Sequence, residues 1–345
     1  MDYKIQIIKL IKKYPFVISY KTRTFSNNIF LVLYDNKFEG LGECDPGFSH
    51  TDTIVTEQAR LLHDFINSQS LENLSIHEIE QRAEYNNLPK PAQAALDIAL
   101  WDLLGKKSHQ PCFRLFGLKP TSNPTSITLG IIPHEQIFAR VHELLIYKKF
   151  YALKIKLGSP NGIEHDQRSF LLIKQAAQAF NVKLRVDANG GWGLSDAKIM
   201  CDFLAQHGVE YVEQPLRPEL DDALPELFRN RPLPLFVDES CHTARDIVRL
   251  SGFVDGVNIK LMKCGGLSEA LRMVATARAH KLKTMLGCMS ESSLSISAAA
   301  SIASLFDYID LDSAFNLNPD PARGVSLING SLTPSNNPGH GAYLC

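Results

Sequence analysis

The sequence lacks a surplus of charge of either sign, and it lacks any long apolar run. It carries 36 lysines and arginines against 37 aspartates and glutamates, a formal net charge of -1. Proteins that bind nucleic acid or anionic membranes carry a basic surplus, so neither partner is expected. Lysines at positions 4, 9, 12 and 13 interrupt the first apolar residues, and no run approaches the roughly 18 residues of a membrane span. We therefore expect a cytoplasmic protein without a signal peptide.

Cysteine pairs and phosphate-binding glycine loops are also missing. The seven cysteines are scattered and include no CxxC pair, which disfavours a disulfide framework and a zinc site. Neither GxGxxG nor GxxxxGKS/T follows the first strand of the repeating region described below. Secreted disulfide-rich scaffolds and nucleotide-binding sheets are therefore poor candidates.

The first third of the chain has a β-then-α pattern. Residues 4–7 alternate between polar and apolar, and 29–33 form an apolar β-type run that ends at a turn signal over 35–37. These features predict a three-stranded meander. Residues 53–105 then follow a helical pattern. The order of elements predicts a small α+β domain.

The rest of the chain alternates between strands and helices. A proline-containing stretch over 119–124 suggests a boundary near residue 120, so we expect an α+β capping domain at 1–120 and a catalytic barrel at 121–320. Eight β-type runs recur at intervals of roughly 25 residues, which suits a (β/α)₈ barrel. A doubly wound open sheet is the alternative. The runs are 126–129, 152–156, 184–187, 210–213, 235–238, 256–260, 284–287 and 308–312.

Three carboxylates end three successive predicted strands, namely Asp187, Glu213 and Asp238. The carboxyl ends of barrel strands meet at one mouth, where barrel active sites lie. Three converged carboxylates repel one another unless a cation neutralises them, and a hard, oxygen-preferring ion such as Mg²⁺ fits. Separate salt bridges or helix caps remain the alternative for any one of them.

Three lysines are also expected to lie at this mouth of the barrel. Lys154 and Lys156 are two residues apart in one strand, so they share a face, and Lys260 ends a strand across the barrel. Two close ammonium groups should lower each other's pKa, which would allow one to act as a base. Lys263 is expected to lie past its strand end, in solvent. Opposed amines would permit removal of a proton from one face of a substrate and its return to the other face.

Together these motifs resemble the muconate lactonizing enzyme subgroup of the enolase superfamily. The resemblance spans nearly the whole chain and includes Gly42-Glu43 and residues 95–102 in the first domain. It implies that residues from about 321 to 345 return to pack on the capping domain. The motifs that carry it are Leu153-Lys154-Ile155-Lys156, Asp187-Ala188-Asn189, Val212-Glu213-Gln214-Pro215, Val237-Asp238-Glu239-Ser240 and Asn258-Ile259-Lys260.

The resemblance assigns roles to these residues. It implies one Mg²⁺ per subunit on the three carboxylates, with Mn²⁺ as an alternative ion. Lys156 and Lys260 would be the acid/base pair, and Lys154 would give electrostatic support.

A further motif narrows the subgroup. Asp310-Leu311-Asp312 looks like the DxD motif with which dipeptide epimerases hold the substrate's α-amino group, and paired carboxylates suit an ammonium. A loop pair of aspartates that caps a helix is the alternative. The segment 287–292, with Met289 and Glu291, also resembles those epimerases.

Two more residues, Thr128 and Arg23, match dipeptide-contacting positions of those enzymes. We expect Arg23 to lie in a mobile loop and to favour an anionic second residue, as in L-Ala-L/D-Glu. The loops around Arg23 and residues 48–50 should determine specificity.

The resemblance therefore implies an isomerase, a dipeptide epimerase that performs Mg²⁺-assisted 1,1-proton transfer at the C-terminal residue of a dipeptide. A cycloisomerase or an o-succinylbenzoate synthase-like β-elimination on the same scaffold is the alternative, and a catalytically inactive binding barrel is a third hypothesis. The expected partner is the small-molecule dipeptide, with a homo-oligomer also possible.

Overall fold

The structure is a computed structural model that describes residues 1–47, 52–146 and 150–345. Its strands are β1 (Asp2–Ile18), β2 (Lys21–Asp35), β3 (Phe38–Cys44), β4 (Ser126–Leu129), β5 (Ala152–Lys156), β6 (Lys183–Asp187), β7 (Val212–Glu213), β8 (Leu235–Val237), β9 (Gly256–Lys260), β10 (Lys283–Gly287), β11 (Tyr308–Asp310), β12 (Ala322–Arg323), β13 (Ser326–Ile328), β14 (Ser331–Thr333) and β15 (Tyr343–Leu344).

The α-helices are α1 (Asp52–Ser68), α2 (Ile76–Tyr85), α3 (Lys90–Lys107), α4 (Cys112–Leu115), α5 (Ile137–Ile146), α6 (Ile163–Ala177), α7 (Leu194–Gln206), α8 (Leu224–Arg229), α9 (Ala244–Leu250), α10 (Leu261–Cys264), α11 (Leu267–Ala279) and α12 (Ser293–Ala300). Within the described residues, no helix combines the length and apolarity that crossing a bilayer requires.

Strands β4 to β11 form one parallel sheet in chain order. A parallel bridge between Thr125 and Ile309 joins its first and last strands, which closes the sheet into a barrel. Each of the eight runs predicted from the sequence overlaps one of these strands, although the strand at Val212–Glu213 is shorter than the predicted 210–213. The predicted (β/α)₈ barrel with an N-terminal α+β capping domain is therefore confirmed.

The capping domain packs a meander on one long helix. Strands β1, β2 and β3 form an antiparallel sheet in that order, as predicted. The β3 backbone lies so close to α3 that a Cβ atom at Gly42 would be 1.9 Å from the Ala95 carbonyl oxygen. Only glycine permits this approach. The first two strands are much longer than predicted, and their hairpin reaches the barrel mouth.

Helix α3 links the cap to the barrel and to the C-terminal tail. Asp97 accepts hydrogen bonds from the backbone of Leu267 (2.6 Å) and Ser268 (3.2 Å) at the start of α11. Asp102 accepts from the backbone N–H of His340 in the tail (2.9 Å). Buried carboxylates that accept from otherwise unpaired backbone N–H groups fix these contacts. The domain boundary near residue 120 stays a prediction.

Candidate active site

Three carboxylates converge at the carboxyl ends of β6, β7 and β8. The candidate ligand oxygens of Asp187, Glu213 and Asp238 lie within 4.8 Å of one another, and all three residues are buried. Burial and the charge of Asp187 raise the pKa of Glu213 to about 7. Three buried carboxylates at this separation need positive charge beside them, and their all-oxygen chemistry suits a hard cation. This carboxylate triad could bind a metal ion.

Lys154 lies at the centre of the negative charge. Its Nζ is 2.7 Å from Glu213 and 2.7 Å from Asp310, and 3.2 Å from Asp187. Burial lowers the pKa of Lys154, but these carboxylates outweigh burial and raise it well above its ordinary value. The net direction for Lys154 is thus opposite to the lowering expected from two neighbouring ammonium groups, because the carboxylates dominate and favour its charged form.

Lys156 and Lys260 approach the triad from opposite sides of the barrel. Strands β5 and β9 are separated by three strands in either direction around the closed sheet. Lys156 Nζ lies 2.6 Å from an oxygen of Asp187, and Lys260 Nζ lies 2.6 Å from an oxygen of Asp238. Burial lowers the pKa of Lys260, but the charge of Asp238 outweighs burial, so the pKa is raised overall. The structure thus places the two amines on opposite sides of the barrel mouth, as expected.

Lys263 is not solvated, contrary to the expectation, because the chain turns into the short helix α10 directly after β9. Its side chain is buried, and its Nζ lies 2.6 Å from an oxygen of Asp238. It also donates to the carbonyl oxygens of Asp238, Cys241 (2.8 Å) and Asn258 (3.0 Å). Burial raises the pKa of Asp238, but Lys260 and Lys263 outweigh burial and lower it.

Two amides and a further carboxylate surround the triad, and the sequence interpretation assigned none of them. Asn258 donates to Glu213 (2.8 Å), and Asn189 donates to Glu239 (3.0 Å). Within the described residues, the side-chain oxygens of both amides and one oxygen of Glu239 are buried without a hydrogen-bond partner. All three residues stand inside the motifs quoted above, so their position beside the strand ends was the signal that could have identified them.

Asp310 ends β11, and Asp312 lies just beyond the strand rather than on it. Asp310 accepts from Ser126 and from Lys154, while Asp312 accepts from the backbone N–H of Thr128 (2.6 Å). Asp312 precedes a short helical turn but its side chain makes no capping hydrogen bond there. Burial and the charge of Asp310 raise the pKa of Asp312 to about 6. The two carboxylates therefore lie close enough for their charges to interact, and the helix-capping alternative is not supported.

A cavity of about 330 Å³, called here the mouth cavity, lies between the β1–β2 hairpin and the barrel mouth. The hairpin is fixed over the barrel because Ile131 donates to the Val17 carbonyl (2.9 Å) and Ser19 donates to the Asn189 carbonyl (2.9 Å). Lys154, Lys156, Lys260, Asp310 and Asp312 line one side of it, and the other walls are mainly apolar, including Phe16, Ile18, Ile132, Leu144 and Phe150.

Arg23 lines this cavity, but it lies in β2 and is buried, so its predicted place in a mobile loop is wrong. Its guanidinium pairs with Asp45 (2.6 Å) and donates to the Gly47 carbonyl (2.6 Å). The positive charge of Arg23 is thus already balanced by a carboxylate. The predicted specificity loop at residues 48–50 lies outside the described residues.

Met289 and Glu291, the two candidate substrate-binding residues after β10, differ in whether they reach the cavity. Met289 lines the cavity, and its Sδ lies 4.0 Å from Lys260 Nζ. Glu291 is buried behind it and accepts from the Met289 backbone N–H (2.6 Å). Burial raises the pKa of Glu291 to about 8. The structure therefore brings Met289 to the cavity, whereas Glu291 supports the loop that holds it. Thr128 lines the cavity beside Asp312.

Comparison with known proteins identifies the family. The model for the mandelate racemase/muconate lactonizing enzyme N-terminal domain matches residues 4–117, and the enolase C-terminal domain-like model matches residues 136–344. The chain is 48% identical to the hydrophobic dipeptide epimerase of Roseobacter litoralis, over 100% of this chain and 99% of that protein. It is 46% identical to the hydrophobic dipeptide epimerase of Flavobacteria bacterium (strain MS024-2A), over 100% and 98%.

A solved structure agrees with this assignment. The dipeptide epimerase from Enterococcus faecalis V583, complexed with Mg and the dipeptide L-Leu-L-Tyr, superposes with a TM-score of 0.91 at 31% identity. The match covers 99% of this chain and 98% of that chain. The chain therefore belongs to the mandelate racemase/muconate lactonizing enzyme family of the enolase superfamily.

Proposed function

We propose that the protein is a Mg²⁺-dependent dipeptide epimerase that inverts the α-carbon of the C-terminal residue. The observation that carries the proposal is the opposition of Lys156 and Lys260, each held 2.6 Å from a triad carboxylate on its own side of the mouth cavity. An α-carbon between two amines can lose its proton to one and regain a proton from the other, which inverts the centre. The similarity to dipeptide epimerases over the full chain supports the same reaction.

The roles of the lysines follow from their surroundings. Lys156 and Lys260 line the cavity and act as the acid/base pair. Lys154 contacts three carboxylates and stays charged, so it stabilises negative charge that develops on the substrate carboxylate when the proton leaves. An amine that serves as the base must be neutral. Because the charge of Asp238 raises the pKa of Lys260, Lys260 can be neutral only when part of the triad's negative charge is offset.

The triad fits a magnesium ion. Three buried carboxylates within 4.8 Å offer the all-oxygen, anionic donor set that Mg²⁺ prefers. Asp187, Glu213 and Asp238 would hold the ion, which when bound stabilises the enolate and offsets the triad's charge. Mg is present in the dipeptide complex of the Enterococcus faecalis enzyme. Mn²⁺ offers the same coordination chemistry.

Asp310 and Asp312 bind the α-ammonium of the dipeptide. Burial and the charge of Asp310 raise the pKa of Asp312, so a substrate cation beside the two carboxylates relieves their repulsion. We call this pair the ammonium clamp. A cycloisomerase or a β-eliminating synthase substrate without an ammonium would leave the clamp without its cation, and that alternative is not favoured.

The second side chain of the substrate is apolar in this proposal. The guanidinium of Arg23 is already engaged by Asp45, which weakens the earlier expectation of an anionic second residue. Phe16, Ile18 and Leu144 line the mouth cavity instead, and burying apolar surface against them favours residues such as leucine or phenylalanine.

We also propose a cytoplasmic location. All seven cysteines lie in the described part of the chain and carry free thiols. Most of them are buried, and unpaired buried cysteines are typical of reducing compartments.

The test is ¹H NMR in D₂O with purified protein, Mg²⁺ and L-Ala-X dipeptides in which X is Leu, Phe, Tyr, Glu or Lys. We expect the α-proton signal of X to disappear while the D-epimer forms, fastest for apolar X, with the alanine α-proton retained. Lys260→Met should abolish epimerisation. The matched control is Lys283→Met, because Lys283 is exposed on the neighbouring strand β10 and should leave the rate unchanged. Absence of exchange with every dipeptide would refute the proposal.

A further inference from the structure

Lys12 is a buried cation in the wall of the mouth cavity that the proposed reaction does not use. Its exposed fraction is 9%, and it lines the cavity. Buried positions alternate along this part of β1, so Lys12 shares the inward face with Leu10. Lysine is rarely buried unless a partner balances its charge. Its position on an otherwise apolar strand face therefore requires an explanation.

The backbone of Lys12 is fixed beside the segment that follows the ammonium clamp. The pairing of β1 with β2 shifts register between Ile11 and Phe16, so Lys12 has no partner on β2. It forms an antiparallel bridge with Leu317 instead, and Asn318 donates to the Ile11 carbonyl (2.9 Å). The strand that carries Lys12 is thus tied to the chain immediately after the clamp.

The ammonium group of Lys12 is not neutralised by a direct contact. Among the described residues no carboxylate forms an ion pair with it, since Asp45 pairs with Arg23 and Asp312 accepts from the Thr128 backbone. Its Nζ lies 5.9 Å from the centroid of the Phe16 ring. Burial lowers the pKa of Lys12, and the more distant charges of Asp45 and Asp312 offset this only in part. A desolvated ammonium favours a ligand that accepts a hydrogen bond and disfavours a second cation.

We propose that Lys12 is a specificity-determining residue that screens the side chain of the dipeptide's N-terminal residue by its charge. The inference rests on the proposed function, because the ammonium clamp would hold the N-terminal residue at Asp312, and Asp312 and Lys12 line the same cavity. Lys12 rejects lysine and arginine at this position. It accepts apolar residues, and it donates a hydrogen bond to side chains that carry an acceptor, such as glutamate.

The expected effect is large enough to measure. Two like charges about 6 Å apart at an effective dielectric constant of about 20 repel enough to change a binding constant roughly tenfold to hundredfold. An apolar N-terminal residue experiences no such repulsion. The ratio of kcat/KM between a neutral and a cationic N-terminal residue is therefore the quantity that Lys12 controls.

The experiment measures kcat/KM for L-Met-L-Leu, L-Lys-L-Leu and L-Glu-L-Leu with wild type, Lys12→Met and Lys12→Arg. Methionine matches the length of lysine and suits a buried position, so Lys12→Met should fold, which circular dichroism checks. The control is Lys9→Met, because Lys9 is exposed on the same strand and rests on the Phe25 ring, 4.1 Å from its centroid.

We expect Lys12→Met to raise the activity on L-Lys-L-Leu relative to L-Met-L-Leu by roughly tenfold or more and to lower that on L-Glu-L-Leu. Lys12→Arg should keep the wild-type ranking, and Lys9→Met should not alter it. An unchanged ranking in Lys12→Met would overturn the inference. So would a shift confined to the second residue, measured with L-Ala-L-Lys against L-Ala-L-Leu. Failure of wild type to epimerise any of these dipeptides would instead count against the proposed function.

Discussion

Glu43 is a buried carboxylate that joins the capping domain to the barrel, and its replacement should weaken this contact measurably. It lies at the end of β3, and its two oxygens accept four hydrogen bonds. These come from Asn28 Nδ2 (2.8 Å), Ser292 N (2.9 Å), Ser292 Oγ (2.5 Å) and Ser295 N (3.2 Å). The serines begin α12, so Glu43 holds the N-terminus of a barrel helix from the capping domain.

The substitution Glu43→Gln keeps the shape and changes one oxygen into a donor. Whichever oxygen is replaced, at least one buried backbone N–H of α12 faces another donor, which costs about 1–3 kcal/mol. Loss of the negative charge at the helix N-terminus adds about 0.3–1 kcal/mol. Burial raises the pKa of Glu43, which means that the buried charge is itself destabilising. Removing this charge therefore offsets part of the loss in stability. We expect the free energy of unfolding to fall by about 1–3 kcal/mol.

The loop beside Lys260 should also respond. Asn28 bridges Glu43 to the Ser290 carbonyl (2.7 Å), next to Met289, so we expect kcat/KM to fall several-fold. Urea unfolding followed by circular dichroism gives the stability, with Glu39→Gln as the control because Glu39 is exposed on the same strand. A Glu43→Gln protein within about 0.5 kcal/mol of wild type, the range of neutral surface changes, would refute the reasoning.

Further predictions concern the clamp, the triad and the metal. Asp312→Asn should raise KM for dipeptides roughly tenfold or more, because the clamp loses charge, as steady-state kinetics will show. Since the pKa of Asp312 is raised to about 6, Asp312 takes up a proton as the pH falls through that value. Wild-type kcat/KM should then decline, and Asp312→Asn should lose this limb of the pH profile. Lys263→Met should lower the free energy of unfolding by about 1–3 kcal/mol in urea titrations, because Asp238 and three carbonyls lose a buried donor. Removal of divalent metal with EDTA should abolish epimerisation and Mg²⁺ should restore it; full activity after chelation would contradict the metal's role.

The barrel and the centre of the site could be predicted because of the regular strand repeat. Parallel strands of one barrel end at one mouth, so polar residues at strand ends must meet whatever the helices between them contain. Asp187, Glu213 and Asp238 follow from this rule alone, and the structure brings them together. Lys156 and Lys260 follow from counting strands around a closed sheet.

The side-chain positions that could not be predicted are set by short turns and by contacts between segments that are distant in the sequence. Lys263 appeared to be past a strand end, but the single turn of α10 carries it under Asp238. Arg23 appeared to be in a loop because β2 begins at Lys21, within a stretch rich in polar residues. The burial of Lys12 depends on a register shift in β1 and a bridge to Leu317, which no local pattern reveals.

The central claim is that two lysines act on opposite faces of one α-carbon, and isotope exchange by single-lysine variants tests it most directly. L-Ala-L-Leu and L-Ala-D-Leu are each incubated in D₂O with Mg²⁺ and Lys156→Ala or Lys260→Ala, and the leucine α-proton is followed by ¹H NMR. We predict that each variant exchanges the proton of one epimer only, the opposite epimer for each variant, and that neither variant epimerises. Exchange of the same epimer by both variants, or epimerisation by either one, would contradict the two-base account.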